Sequence, residues 1–517
     1  MTIAASSYEQ LSAYLRECAN LHAVGNVLGW DQETYMPGGG ASARGEQAAL
    51  IARLHHERVS DAKLGDLISA CEAEVDTSID TDASANVREA RRDYDRRTKI
   101  PADLVSRLAE ARSAAQHAWK GARENNDFAT FQPHLDTVLG LTREMARCLT
   151  TGGAGDGELY DALLDEYEPD AKAADIEAVF TPLRERLSAM IKDIADNGTP
   201  PKTDLLSANI PAAKQEAFGR FIADACGFSF DRGRLDVTVH PFCEGVAPGD
   251  TRMTTRYRED SWTDALYGTM HEMGHGLYEQ GLPLGERHGR GTLPDQFGLP
   301  CGEAVSLGMH ESQSRLWENA VGRSEAFWHF ALPYAQRLMG DAFNDQTPTS
   351  LAAAVNTATP SLIRVEADEG TYNLHVMIRF ELERAMISGD LSTSDLPAAW
   401  NDRCKEFLGV DVPNDREGCL QDVHWSFGLI GYFPTYTLGN LHMAQLWQAI
   451  RRDITDIDDQ IAQGQFAPLL AWLRDNIHQH GRRYSAHELT KRATGEDLSA
   501  DPLVEYLEAK LKPSYRL

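Results

Sequence analysis

The chain has 517 residues, of which 42% are hydrophobic and 25% charged, proportions of an ordinary globular protein with room for a large core. Lys and Arg number 50 against 78 Asp and Glu, a formal charge of −28. That balance argues against nucleic acid or an anionic membrane surface as partner, and no run of about 20 apolar residues suggests a membrane span.

From the start of the chain, helical periodicity dominates. Tyr8–Val27, Ser42–His56, Ala102–Ala122, Ala171–Asn197 and Leu351–Ile387 carry apolar residues at three- and four-residue spacing among Ala, Glu, Arg and Leu, which predicts helices. The N-terminus reads as the first of these helices, with no basic segment followed by an apolar run. The Met36-Pro37-Gly38-Gly39-Gly40 stretch has no Gly-Lys-Ser/Thr ending and is read as a turn, not a phosphate loop. Strand signals are few. Leu235–Phe242 and Thr251–Arg258 alternate, with the turn signal Pro248-Gly249-Asp250 between them, so a hairpin is expected there. The eight cysteines show no Cys-x-x-Cys spacing, which favours reduced thiols over disulfides or a thiolate metal site. A cytoplasmic protein is expected, built as a single domain over 1–517 with two lobes as a variant.

The chemistry concentrates at His271-Glu272-Met273-Gly274-His275. Ser261 and Asp264 resemble a capping box at the start of a helix, and Gly281 and Pro283 stop it. Inside a helix, His271 and His275 share a face and reach a single ion. Glu272 is rotated by about 100°, so it is free to act as general base rather than ligand. A zinc site of this kind needs a third protein ligand. A helix expected over Gly302–Asn319 offers Glu303, Glu311 and Glu318, and spacing leaves the choice open. Glu311, in the polar cluster His310-Glu311-Ser312-Gln313, ranks ahead of Glu303.

Six short segments then occur in order: His240-Pro241-Phe242; Asp250-Thr251-Arg252-Met253-Thr254; His271 to His275; His310-Glu311-Ser312-Gln313; Ile363-Arg364-Val365-Glu366-Ala367-Asp368; and Gly418-Cys419-Leu420-Gln421-Asp422-Val423-His424-Trp425. Together they resemble the motifs of the carboxypeptidase Taq family of metal-dependent carboxypeptidases. Leu28–Thr34, Asp161–Pro169 and Trp472–Gly481 extend the likeness over nearly the whole chain. The resemblance implies Glu311 as third ligand. It also implies a mainly α fold, a large single-chain gluzincin with a deep active-site groove and a small antiparallel sheet beside the metal helix, and a homodimer. Leu284–Pro300 is longer than the resemblance leads one to expect.

On this reading the cofactor is one Zn²⁺ per subunit, with Co²⁺ or Mn²⁺ able to substitute, and the substrates are peptides. Glu272 moves the proton. Tyr436, then Tyr432, is expected to supply an oxyanion donor, with His424 nearby; packed aromatics are the plainer alternative. A terminal carboxylate calls for an Arg. Arg364 is the first candidate, against a structural pair with Glu366 or Asp368. Arg252 is the second, against a salt bridge to Asp250. His240, at the end of the expected strand, is assigned to substrate contact along a sheet edge. Competing readings are a zinc oligopeptidase or dipeptidase of similar fold, and a catalytically silent metal-binding homologue.

Overall fold

The computed structural model describes residues 6–150, 157–285 and 293–517. Helices dominate, and a single three-stranded sheet is present among the described residues. The backbone divides into two compact units. One comprises Met1–Thr98, Lys202–Val355 and Leu446–Asp497; the other comprises Lys99–Pro201, Asn356–Gln445 and Leu498–Leu517.

In the first unit the helix Ser7–Thr34 starts at a capping box, with Ser6 and Glu9 each accepting from the other's backbone N–H. The helix Ala41–Val59 packs on it. Leu11, Tyr14, Cys18, Val59, Leu64, Ile68 and Val87 close a local core beneath them. A second core cluster joins Tyr278, Leu282, Val305, Met309, Ile477 and Leu489, behind the end of the metal helix, Trp262–Glu279. Truncating such a buried Leu or Met to Ala costs about 2–5 kcal/mol.

The sheet stands beside the metal helix, but it is mixed rather than antiparallel. Strand β1 (Gly233–Val237) runs parallel to β3 (Asp250–Thr255), and β2 (Cys243–Ala247) pairs antiparallel with β3. The expected turn at Pro248-Gly249 is real, and Gly249 takes φ +80° there. Its upstream strand, however, is β2 and not Leu235–Phe242. The first strand ends at Val237, the Thr238 N–H still donates to the Thr255 carbonyl at 2.9 Å, and a new strand starts at Cys243, past Pro241, which has no N–H for a ladder. His240 therefore lies exposed in the connection, three residues past the strand.

The metal helix spans Trp262–Glu279, with Trp262, Leu266, Met270, Met273 and Leu277 buried. Ser261 is its N-cap residue but makes no side-chain cap bond. Asp264 instead faces Arg256 and Arg258 at 3.7 and 3.6 Å. The helix expected over Gly302–Asn319 begins later, at Leu307, where the Ser306 hydroxyl accepts from the Met309 N–H. It runs to Arg315 and passes into a π-helical turn over Leu316–Val321. Residues 286–292 of the long Leu284–Pro300 stretch lie outside the described residues.

In the second unit the helices Ala102–Asn125 and Phe128–Thr150 pack together, with Asn126 left-handed between them at φ 54°. The single helix expected over Leu351–Ile387 is interrupted. A helix ends at Val355, Pro360 lies in the break, and Asp368 caps a new helix, Glu369–Ser388, by accepting from the Thr371 N–H.

Candidate metal centre

Helical spacing sets His271 and His275 one turn apart, with their Nε2 atoms 3.2 Å from each other. The third corner is Glu311 Oε2, at 3.5 Å from His271 Nε2 and 3.4 Å from His275 Nε2. A tetrahedral ion with ligands at roughly 2.0–2.1 Å separates them by about 3.3–3.4 Å, so the triangle matches one ion. Among the described residues this is the one group of His, Cys, Asp or Glu that converges in this way. Glu303 is not part of it, because its carboxylate pairs with Arg482 at 3.1 Å.

The outer ring nitrogens explain why the inner ones converge. His271 Nδ1 faces Glu318 Oε2 at 3.0 Å, and His275 Nδ1 faces the His310 carbonyl at 3.1 Å. Both partners only accept, so each Nδ1 carries a proton, which leaves each Nε2 as the nitrogen turned towards the shared point. Glu311 is oriented in turn, accepting from Arg315 Nε at 2.7 Å and the Ser314 hydroxyl at 3.0 Å. Arg315 and Arg323 also reach Glu318, at 3.3 and 3.0 Å. Two acids and two guanidiniums thus balance around the two imidazoles. This donor set, two imidazoles and one carboxylate, suits a divalent ion.

The close approach of the two helices depends on Gly274. A Cβ there would lie 2.5 Å from Ser314 Cα and 2.6 Å from the Gln313 carbonyl oxygen. The residue between the two histidines is therefore what lets the second helix bring Glu311 within reach.

Glu272 is 6% exposed, and burial pushes its carboxyl up to about 7. Burial alone would lower His271, but Glu311 and Glu318 raise it to about 9; burial and His310 draw His275 down to about 3. Glu311 resists the upward effect of burial and is held well below the usual carboxylate range by Arg315 and His271.

Arg252, on β3, is engaged locally. It forms a two-pronged pair with Asp250 at 2.8 and 2.8 Å, and its guanidinium lies 4.1 Å from the centre of the Trp30 ring.

The remaining candidates gather within the second unit. Arg364 donates to Asp422 Oδ1 at 2.7 Å from one terminal nitrogen and at 3.1 Å from Nε, and to the Tyr372 hydroxyl at 3.1 Å. Its partner is thus Asp422, rather than Glu366 or Asp368. Arg379 donates to the other Asp422 oxygen at 2.7 Å. Arg364 and Arg379 are 5% and 0% exposed, so two buried guanidiniums share one carboxylate. Against burial, Arg379 and Arg364 hold Asp422 below its ordinary range. The His424 ring lies tilted against Phe433 and Tyr432, with centroids 4.6 and 5.6 Å away, and the Tyr436 hydroxyl lies 3.4 Å from that of Tyr432. Burial lowers His424 to about 4 and keeps the Tyr436 phenol protonated.

Sequence reasoning named Glu318 only as a possible ligand and overlooked Asp422 and Arg379. Glu318 lies seven residues beyond Glu311, two turns on the same face, which was the available signal. Asp422 sits inside a quoted motif, but its partners lie 58 and 43 residues away in the chain.

The model of the carboxypeptidase Taq (M32) metallopeptidase family matches residues 10–511. Thermostable carboxypeptidase 1 of Thermus thermophilus is 43% identical over 517 residues, covering 99% of each chain. Carboxypeptidase 1 of Bacillus subtilis is 34% identical over 98% of this chain and 97% of its own. The crystal structure of the M32 carboxypeptidase from Deinococcus radiodurans R1 superposes with a TM-score of 0.93 at 38% identity, covering 99% of this chain and 100% of that one.

Proposed function

The chain belongs to the carboxypeptidase Taq (M32) metallopeptidase family and is a metallocarboxypeptidase, and from that premise we propose that it removes single residues from the C-terminus of peptides with broad preference, using one Zn²⁺ per chain. The observation that carries the metal reading is the His271–His275–Glu311 triangle, with edges of 3.2–3.5 Å and both Nδ1 atoms facing acceptors. Co²⁺ and Mn²⁺ suit the same donor set. The chemistry such an ion supplies is Lewis-acid polarisation of a carbonyl and acidification of water.

Glu272 adjoins His271 in sequence and turns away from the ligand face. In the proposed reaction its carboxylate takes the proton of the attacking water and passes it to the leaving amine. The Tyr436 hydroxyl, protonated and already turned towards a second hydroxyl on Tyr432, is assigned as donor to the developing oxyanion. His424 is assigned to the same step as a neutral donor. Arg364 is assigned to the terminal carboxylate. Its support is the surplus charge of two guanidiniums on Asp422, which leaves a positive field for a second anion. His240 and Arg252 are assigned to substrate contact, His240 because it is exposed.

The resemblance also carries a homodimer, for which light scattering should give twice the chain mass. No described helix is long and apolar enough to cross a membrane. A reducing, cytoplasmic compartment is assigned on the scattered spacing of the eight cysteines in the sequence.

A mass-spectrometric time course on an N-blocked, free-acid peptide tests the activity. One residue at a time should be lost from the C-terminus, with the ladder halted by a chelator and by C-terminal amidation. Internal or two-residue cuts, or indifference to amidation, would establish an oligopeptidase or dipeptidase instead.

A further inference from the structure

His275 is held by more than a hydrogen bond to its Nδ1. The His310 ring lies nearly parallel to it, with centroids 4.4 Å apart and planes at 13°. His310 Nε2 faces Glu279 Oε1 at 2.9 Å. A carboxylate only accepts, so Nε2 carries the proton and donates. Glu279 lies one turn beyond His275 on the metal helix, on the same face. The contacts close a ring: from His275 along the helix to Glu279, across to the His310 side chain, through its own backbone to the carbonyl, and back to His275 Nδ1.

The sheet leaves room for this ring. Gly245 on β2 abuts Glu279, and a Cβ at 245 would lie 2.2 Å from Glu279 Oε2. Next to it, Glu244 is tied to Asn26 at 2.6 Å. Glu279 and His310 are partly buried, with side chains 21% and 18% exposed. A surface ion pair would contribute little by itself. Here the pair sets the plane of a ring that covers one face of a ligand imidazole.

We propose that the His310 side chain, anchored by Glu279, is a positioning group that fixes the plane of the His275 ring for the metal. The inference rests on the metal reading of His271, His275 and Glu311. Three variants separate its parts. His310→Ala removes the stack and the anchor, His310→Phe keeps a ring but loses the anchor, and Glu279→Gln weakens the anchor alone.

The metal-free proteins are titrated with Co²⁺ against a competing chelator, and the visible absorption of the cobalt-loaded forms is recorded. His310→Ala should weaken Co²⁺ binding by about 10–100-fold and alter the cobalt spectrum, which reports ligand geometry. His310→Phe and Glu279→Gln should show smaller losses in the same direction. Should His310→Ala fail to fold, these two variants decide. Variants that bind Co²⁺ within twofold of wild type, with its spectrum, would overturn the inference and leave the metal centre standing. A wild-type chain that takes up no Co²⁺ would overturn both.

Discussion

Single side chains divide here into those that react and those that hold charge in place. Glu272 is proposed for the first kind. Glu272→Gln keeps its size and loses the proton shuttle, so turnover should fall by roughly 10²–10⁴-fold, with metal content and melting temperature unchanged. Steady-state kinetics beside metal analysis checks this, and wild-type kcat in the variant would refute the role. Asp422 belongs to the second kind, as the counter-charge to two buried guanidiniums. Asp422→Asn leaves both under-compensated and should cost about 3–5 kcal/mol at neutral pH. The sign of its pH dependence follows from its depressed folded-state pKa. Its stabilisation is complete above the unfolded value of about 3.9 and is lost as pH falls below it. Urea unfolding from pH 3 to 7 should show the gap between wild type and variant narrowing on the acid side. A gap that widens towards acid would contradict the ion-pair account.

Between elements, the decisive contact is that of the metal helix with the helix Leu307–Arg315. Backbone atoms of Ser314 and Gln313 occupy the space a side chain at Gly274 would need. Gly274→Ala must push the two helices apart, because backbone gives way less cheaply than a side chain. The expected cost is about 1–3 kcal/mol. Metal affinity should also drop at least about tenfold, because Glu311 moves with its helix. Denaturation and chelator competition measure the two separately; lost stability with intact affinity would mean that Glu311 tolerates the shift. The mixed sheet makes a related point. β1 lies parallel to β3, and a short turn cannot join parallel neighbours, so the hairpin partner of β3 is β2, antiparallel on its other edge.

For the molecule as a whole, metal binding and folding of the first unit are linked, because all three ligands and their partners Glu318, Arg315 and Arg323 belong to that unit. An ion that binds only the folded chain adds about 2.7 kcal/mol at a free concentration one hundred times its Kd. Chelation should therefore lower the melting temperature, and Zn²⁺ should restore it. A melting curve indifferent to both would argue against a metal held by the folded chain.

The helical character and the convergence of His271 with His275 were legible in the sequence because each rests on local spacing. Helical period and the four-residue step from His271 to His275 follow from backbone geometry alone, and they survive in the structure. Features that depend on contacts between distant segments were left open by the sequence or differ from its local pattern. Spacing could not choose among Glu303, Glu311 and Glu318. The tertiary structure set Glu311 within 3.5 Å of both imidazoles, Glu318 against His271 and Glu303 against Arg482. It also paired Arg364 with Asp422 and broke the helix expected over Leu351–Ile387, where Pro360 and the Asp368 cap outweighed an apolar period that runs through the break. Local periodicity is a property of a few consecutive residues. The choice between equivalent carboxylates depends on which side chain a neighbouring helix brings within about 3 Å, and that distance exists only once the chain has folded.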